Sequence, residues 1–151
     1  MLIRAALPLL LLVAPATTAP RTPAESPRAG TITLTVIVSG AEQSGGVLRA
    51  ALFAAPAGFP TEVAKAAQVL ARPRVAAVDS FVFRGVEAGK YAVSVYHDTS
   101  SNDRLDSNMF GAPREPWGTT GGERPKLRAP RFDEATITLT TDARLDVKVE
   151  R

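Results

Sequence analysis

Tyr91-Ala-Val-Ser-Val-Tyr-His-Asp98, running directly into Thr99-Ser-Ser-Asn-Asp-Arg-Leu-Asp106-Ser-Asn108, is a two-residue alternation that ends in a cluster of oxygen-bearing side chains. In an extended chain Tyr91, Val93, Val95 and His97 fall on one face, with Ala92, Ser94, Tyr96 and Asp98 on the other. This predicts a strand that carries a His-Asp pair and a polar loop to one end of its sheet. The same period recurs on both sides. Thr31–Ser39 sets Ile32, Leu34, Val36 and Val38 against a mostly threonine face, the mark of a half-buried strand. Gly40 ends it, Ser44-Gly-Gly46 marks a turn, and Val47–Phe53 is apolar on both faces, which predicts a central strand. Downstream, Phe81-Val-Phe83 is extended and Gly85–Gly89 turns. Thr136–Thr140 and Arg144–Glu150 then predict a closing hairpin across Thr141-Asp-Ala143, with Leu145, Val147 and Val149 facing the core.

Between these strands the period changes. Thr61 is a plausible N-cap, Glu62 suits a first turn, and Val63–Val69 is compatible with two turns of helix, which Pro73 ends; Arg74–Val78 is then an edge strand. Six or seven short strands, one minor helix and no repeated βα unit predict an all-β fold. It is an antiparallel β-sandwich of about seven strands, immunoglobulin- or transthyretin-like, with one short helix and one long loop. That loop, 99–132, is longer than the usual connections of a compact domain, and segments of that kind are either functional or disordered. Phe110, Trp117 and Phe132 are costly to leave in water, so the loop is expected to fold back over the sandwich.

Ahead of the domain, Met1-Leu-Ile-Arg4 is a short positive region, Ala5–Val13 is apolar, and Ala14-Pro-Ala16 offers small residues for cleavage. This is the layout of a signal peptide over residues 1–16, with cleavage as far as 19 an alternative. The apolar run is well short of the roughly 20 residues that span a bilayer. The expectation is an exported protein, periplasmic or secreted, with no membrane span in the mature form; a retained anchor is the alternative. Residues 17–30, rich in Pro, Ala, Thr and Ser, read as a flexible leader, and 31–151 as a single domain. The chain has no cysteine, which excludes disulfides, thiol nucleophiles and cysteine-ligated zinc. With 18 Lys and Arg against 15 Asp and Glu the net charge is only +3, far from the basic stripe that nucleic-acid binding requires. Arg114, Arg124, Lys126, Arg128 and Arg131 form one local concentration, interrupted by Glu115 and Glu123. It reads as a solvated loop, the alternative being an anion or lipid-head-group site.

Three arrangements could carry chemistry. Asp98, Ser100, Asn102 and Asp106 occupy the first, third, fifth and ninth positions of an EF-hand-like loop, with the Arg104 carbonyl at the seventh, and calcium takes such hard oxygens. Against calcium, Met109 stands where a bidentate carboxylate belongs and Asp103 where glycine eases the turn. The alternative is that Asp98, Asn102, Asp106 and Asn108 cap the loop's own amides. His97, the sole histidine, is the candidate general base of a hydrolase using Asp98, Asp103 and Asp106. Asp98, however, lies on the opposite strand face, and no Gly-x-Ser-x-Gly elbow exists. Trp117, between Pro116 and Gly118, is either a stacking platform for a sugar ring or peptide, or a packing anchor for the loop. His97, Asn108, Phe110, Arg114 and Trp117 are the candidate partner or ligand contacts.

Phe83-Arg-Gly-Val-Glu-Ala-Gly-Lys-Tyr-Ala-Val-Ser-Val-Tyr-His-Asp98, Leu105-Asp-Ser-Asn-Met-Phe-Gly111 and Pro113-Arg-Glu-Pro-Trp-Gly118 resemble the DUF2141 family of bacterial exported proteins. Gly46–Phe53 and Gly58-Phe-Pro60 do so as well, so that the resemblance covers about residues 31–150. In the loop the family pattern runs Asp-x-Asn-x-Asn-Gly-x-Leu-Asp; Ser100 and Asp103 depart from it, which weakens the metal reading. The resemblance implies a transthyretin-like or carboxypeptidase-regulatory-like sandwich and export; it carries no established activity. The function expected is a binding or accessory module of the bacterial cell envelope, contacting an envelope protein, peptide or glycan through the 99–132 loop. A calcium-stabilised structural module is the alternative, and a hydrolase is less favoured.

Overall fold

A computed structural model of the chain describes residues 31–41, 45–122, 124–125 and 128–151. The expected signal peptide and leader, and Lys126 and Glu123 of the basic segment, lie outside the described residues.

The strands are β1 (Ile32–Ser39), β2 (Val47–Phe53), β3 (Gln68–Pro73), β4 (Asp79–Val86), β5 (Gly89–Asp98), β6 (Trp117–Thr119), β7 (Ile137–Leu139) and β8 (Ala143–Lys148). One four-residue helix, α1 (Phe132–Ala135), precedes β7, and Val63–Lys65 forms a single 3-10 turn. Two sheets, ordered β4-β1-β8 and β3-β2-β5-β6 with β7 added to β5, face each other. The all-β sandwich predicted from the alternation is therefore the observed fold. Its core is built from the inward faces of both sheets: Leu34, Val36 and Val38 of β1, Leu48, Ala50 and Leu52 of β2, Phe81 and Phe83 of β4, Val93 and Val95 of β5, and Val147 of β8. The other face of the second sheet is covered too. Phe59 packs edge-on against Phe53 at 5.4 Å, and Phe132 against Phe59 at 5.9 Å. This explains why β2 is apolar on both faces and why β5 is buried from Ala92 to Asp98.

Several local expectations are corrected. Helix over Val63–Val69 is replaced by one 3-10 turn, and Gln68–Pro73 is a strand that pairs antiparallel with β2, Val69 opposite Ala51. The free backbone groups along β2 need partners, and that demand overrides the helical preference of an Ala-rich segment. The edge strand expected at Arg74–Val78 is a bend. It is pinned by the buried Arg74–Asp79 ion pair at 2.7 Å and by an Arg74 bond to the Ala41 carbonyl, and it leaves Val75 75% exposed. The closing hairpin is absent: β7 joins β5, whereas β8 runs parallel to β1 in the other sheet. The sandwich is thus antiparallel in every strand pair but one.

The two margins of the sandwich are closed differently. On one side Trp117 and Glu150 exchange backbone hydrogen bonds at 3.0 and 3.1 Å. Only glycine fits beside that pair, since a Cβ at Gly118 would lie 2.1 Å from the Lys148 carbonyl oxygen. On the other side β3 and β4 run alongside each other, joined through side chains. Arg72 Nη1 donates to the Ser80 carbonyl at 2.7 Å, and Gln68 Nε2 to that of Arg84 at 3.0 Å.

Candidate functional site

The polar loop is hung on the end of β5 by a buried carboxylate. Asp98 is fully enclosed; its Oδ1 accepts the Asn102 amide at 3.0 Å, and its Oδ2 accepts the Asp103 amide at 2.9 Å and Arg49 Nε at 3.0 Å. Burial alone would raise its pKa, but the two amides and the Arg49 guanidinium outweigh it and hold the carboxyl below the ordinary aspartate range. Arg49 comes from the neighbouring strand β2 and also pairs with the Asp103 carboxylate. Asp103 and Ser101 both adopt left-handed backbone, φ +70° and +55°, so the turn that would favour glycine is made here with ordinary residues. Tyr96 closes the inner side by donating to the Asp103 carbonyl at 3.2 Å; burial is the main cause of its raised pKa, with Arg49 opposing.

Four of the five expected calcium ligands, Asp98, Ser100, Asn102 and Asp106, do converge, on one another. Ser100 Oγ donates to Asp106 Oδ2 at 3.1 Å and lies 3.4 Å from Asp98 Oδ1, while Asn102 Nδ2 donates to Asp106 Oδ1 at 2.8 Å. These bonds from Asn102 and Ser100 lower the Asp106 pKa. Arg104 points outward, 3.6 Å from Asp106. No set of three or more His, Asp or Glu side chains among the described residues is grouped as a metal site. The amides of Asn102 and Asp103, with Arg49, take the Asp98 oxygens that a calcium ion would need.

Glu115, absent from the sequence-derived set, organises the loop from the far side. It is only 4% exposed, and it gathers four donors: the Thr99 amide at 2.7 Å, the Thr99 hydroxyl at 2.8 Å, the Ser100 amide at 3.3 Å and, on its other oxygen, the Asp106 amide at 3.0 Å. Nothing in its local sequence marks it, because its partners lie 9 to 16 positions away. Arg49 could have been noticed as a charge inside a strand otherwise apolar on both faces.

His97 is a core residue. No part of its ring is accessible, and Nε2 lies 2.7 Å from the Gly45 carbonyl, which fixes that nitrogen as the protonated one. His97 and Asp98 point away from each other, as strand alternation requires, so the structure does not assemble the pair as base and orienter.

Beyond Asp106 the chain forms a small closed turn bridged between Ser107 and Pro113. Asn108 Oδ1 accepts the Phe110 amide at 2.9 Å and the Ala112 amide at 3.0 Å, and the Asn108 and Ala112 backbones pair at 2.8 Å. The turn holds Met109 and Phe110 clear of the protein, 89% and 87% exposed. Phe110 therefore does not fold back as expected; Phe132 does. Arg114 is exposed beside the turn. Trp117 sits on β6, partly buried, with the Arg124 guanidinium 4.5 Å from its ring centre.

A family model described as "Uncharacterized protein conserved in bacteria (DUF2141)" matches residues 36–147. No curated protein and no solved structure matches the chain.

Proposed function

We propose that this chain, which belongs to the DUF2141 family of proteins conserved in bacteria, is an exported binding or accessory module of the cell envelope. Its contact with a partner is the Met109–Phe110 turn. The observation that carries this reading is the exposure of two large apolar side chains at the tip of a turn whose amides are tied by Asn108. Such groups are normally buried, and a turn whose amides are already tied by Asn108 spends little backbone ordering entropy when a partner covers them. Binding fits the polar loop better than hydrolysis does, since His97 and Asp98 are enclosed, His97 Nε2 is taken by the Gly45 carbonyl, and the Asp98 oxygens accept the protein's own donors. The apolar segment at Ala5–Val13 supports export.

The test is a photo-crosslinking amino acid at position 110 in a bacterium expressing the full chain, with the same probe at Val75 as a second exposed apolar position for control. A discrete adduct from 110 and none from 75 is the expected result; the same pattern from both sites, or none from either, overturns the reading. Terminal sequencing of the protein from the extracytoplasmic fraction tests export, and an intact Met1 there would refute cleavage.

A second reading, a calcium-stabilised module, is favoured by one observation: Asp98, Ser100, Asn102 and Asp106 share a single cluster of oxygens.

A further inference from the structure

The Met109–Phe110 turn keeps its main-chain donors to itself. The Asn108 amide donates to the Ala112 carbonyl at 2.8 Å, the Gly111 amide to that of Asn108 at 2.9 Å and the Arg114 amide to that of Asp106 at 2.8 Å. Phe110 and Ala112 both donate to Asn108 Oδ1, and Pro113 has no donor. From Asn108 to Arg114, only the Met109 amide is without an acceptor among the described residues. A segment whose amides are satisfied internally can enter a medium of low polarity without stranding them. Met109 and Phe110 lead it, 89% and 87% exposed, and no residue from Ser107 to Pro113 is charged.

Charge around the turn favours an anionic surface. Arg114 is exposed and pairs with no carboxylate among the described residues, whereas Arg124 lies 3.3 Å from Glu150, and Arg128 and Arg131 are held by Glu134. The acids of the preceding loop are answered from within the chain: Asp103 by Arg49, and Asp106 by Ser100, Asn102 and, at 3.6 Å, Arg104.

We propose that this turn docks on the surface of an anionic phospholipid bilayer, with Met109 and Phe110 entering the boundary between headgroups and acyl chains and Arg114 meeting a lipid phosphate. The assignment rests on the reading of the turn as the contact surface and names its partner. A protein interface draws about one hydrogen bond from each 100–200 Å², and this turn has a single main-chain donor left to give. A lipid boundary asks for none.

The chain has no cysteine, so Met109→Cys takes an environment-sensitive fluorophore at the tip alone. The same label at Ala88→Cys, exposed between β4 and β5 and so at the opposite end of β5 from Asp98, reports attachment through other parts, the apolar segment at 5–13 included. The labelled full chain is titrated with vesicles of phosphatidylglycerol mixed with phosphatidylcholine, and of phosphatidylcholine alone. The expected result is a blue-shifted emission at 109 that brominated lipid quenches, and no shift at 88. Arg114→Ala should weaken binding to the anionic vesicles alone, about fivefold, as one basic residue at such a surface supplies about 1 kcal/mol. Phe110→Asp should weaken binding to both by about tenfold or more, with unchanged circular dichroism. No shift at 109 with either vesicle, equal shifts at 109 and 88, or equal affinity in Arg114→Ala would each overturn the proposal. In the cell, the expected adduct of a crosslinker at position 110 is a lipid. A protein adduct there, with silent vesicles, would overturn the lipid assignment and leave the turn as a contact, whereas silence in both removes the turn itself.

Discussion

Glu115 holds Thr99 twice through one oxygen: its Oε1 accepts the Thr99 amide at 2.7 Å and the Thr99 hydroxyl at 2.8 Å. With its other oxygen on the Asp106 amide, the same carboxylate clamps the start and the finish of the polar loop. Loop rigidity thus depends on a residue outside the turn itself. Glu115→Ala leaves four donors without their acceptor, and since one orphaned buried group costs roughly 1–3 kcal/mol, a loss of about 3 kcal/mol is expected in urea unfolding. Amide exchange at Thr99, Ser100 and Asp106 should accelerate. A change below about 0.5 kcal/mol, the usual scale of surface substitutions, would show that the clamp contributes nothing.

Acid sensitivity follows from the carboxylates. Glu134 accepts both Nη atoms of Arg128, at 2.6 and 2.8 Å, and the Arg131 amide; its pKa is lowered from 4.5 to about 2, chiefly by Arg128. Asp98, Asp106 and Glu150 are lowered as well, Glu150 chiefly by Lys148. Groups with a depressed folded pKa bind fewer protons in the folded state. Their stabilisation is present above the unfolded value and disappears as pH falls through the folded one. Melting temperature should therefore be flat with respect to these groups at neutral pH and decline from about pH 4.5 towards 2. Glu134→Gln should flatten part of that decline, and an unchanged slope would contradict this assignment.

Calcium addition should move the melting temperature little. Asp98 already has Arg49 beside it and two amides on its oxygens, so an ion would have to displace bonds that are made. A bound ion stabilises by its own mass action. A rise of several degrees with calcium, reversed by EDTA and lost in Asp106→Ala, would establish the calcium-stabilised reading instead.

The β3–β4 margin should govern association. Strand edges with free backbone groups recruit other chains, and long polar side chains are one way of blunting them. Arg72 and Gln68 occupy the Ser80 and Arg84 carbonyls, and Val69 and Val82 are exposed beside them. Arg72→Ala combined with Gln68→Ala should yield concentration-dependent oligomers in light scattering, with little change in circular dichroism. A strictly monodisperse double variant at high concentration would remove this role.

The strands that could be read from the sequence are those whose pattern one face of a sheet dictates. β1 alternates cleanly because one side meets the core, whereas β5 is legible from its β-branched and aromatic residues although both its faces are buried from Ala92 to Asp98. Partnership was less legible. Ala143–Lys148 alternates as expected, but alternation says nothing about which neighbour it joins. Its parallel pairing with β1 is set by the sheet on which it packs, with Asp142 accepting the Thr33 amide at 2.8 Å just before it. Gln68–Pro73 was hidden by the Ala- and Lys-containing stretch before it, since a local period cannot register an open strand edge elsewhere. In the candidate site, Asp98 and its loop could be located from the turn chemistry. Glu115 could not, because its significance lies in what it meets across the fold.

The parallel pairing of β1 with β8 also decides how the domain answers to mechanical force. The chain enters β1 at Ile32 and leaves β8 at Lys148, and the two strands lie side by side in the same direction through six register pairs, Leu34–Ala143 to Ser39–Lys148. Tension applied through the two flanking segments pulls these strands past each other lengthwise. The rungs between them must then yield together in shear, whereas a terminal hairpin would peel open one rung at a time. A domain tethered at one side and gripped at the other would hold its shape under strain along that axis and give way far more readily across it.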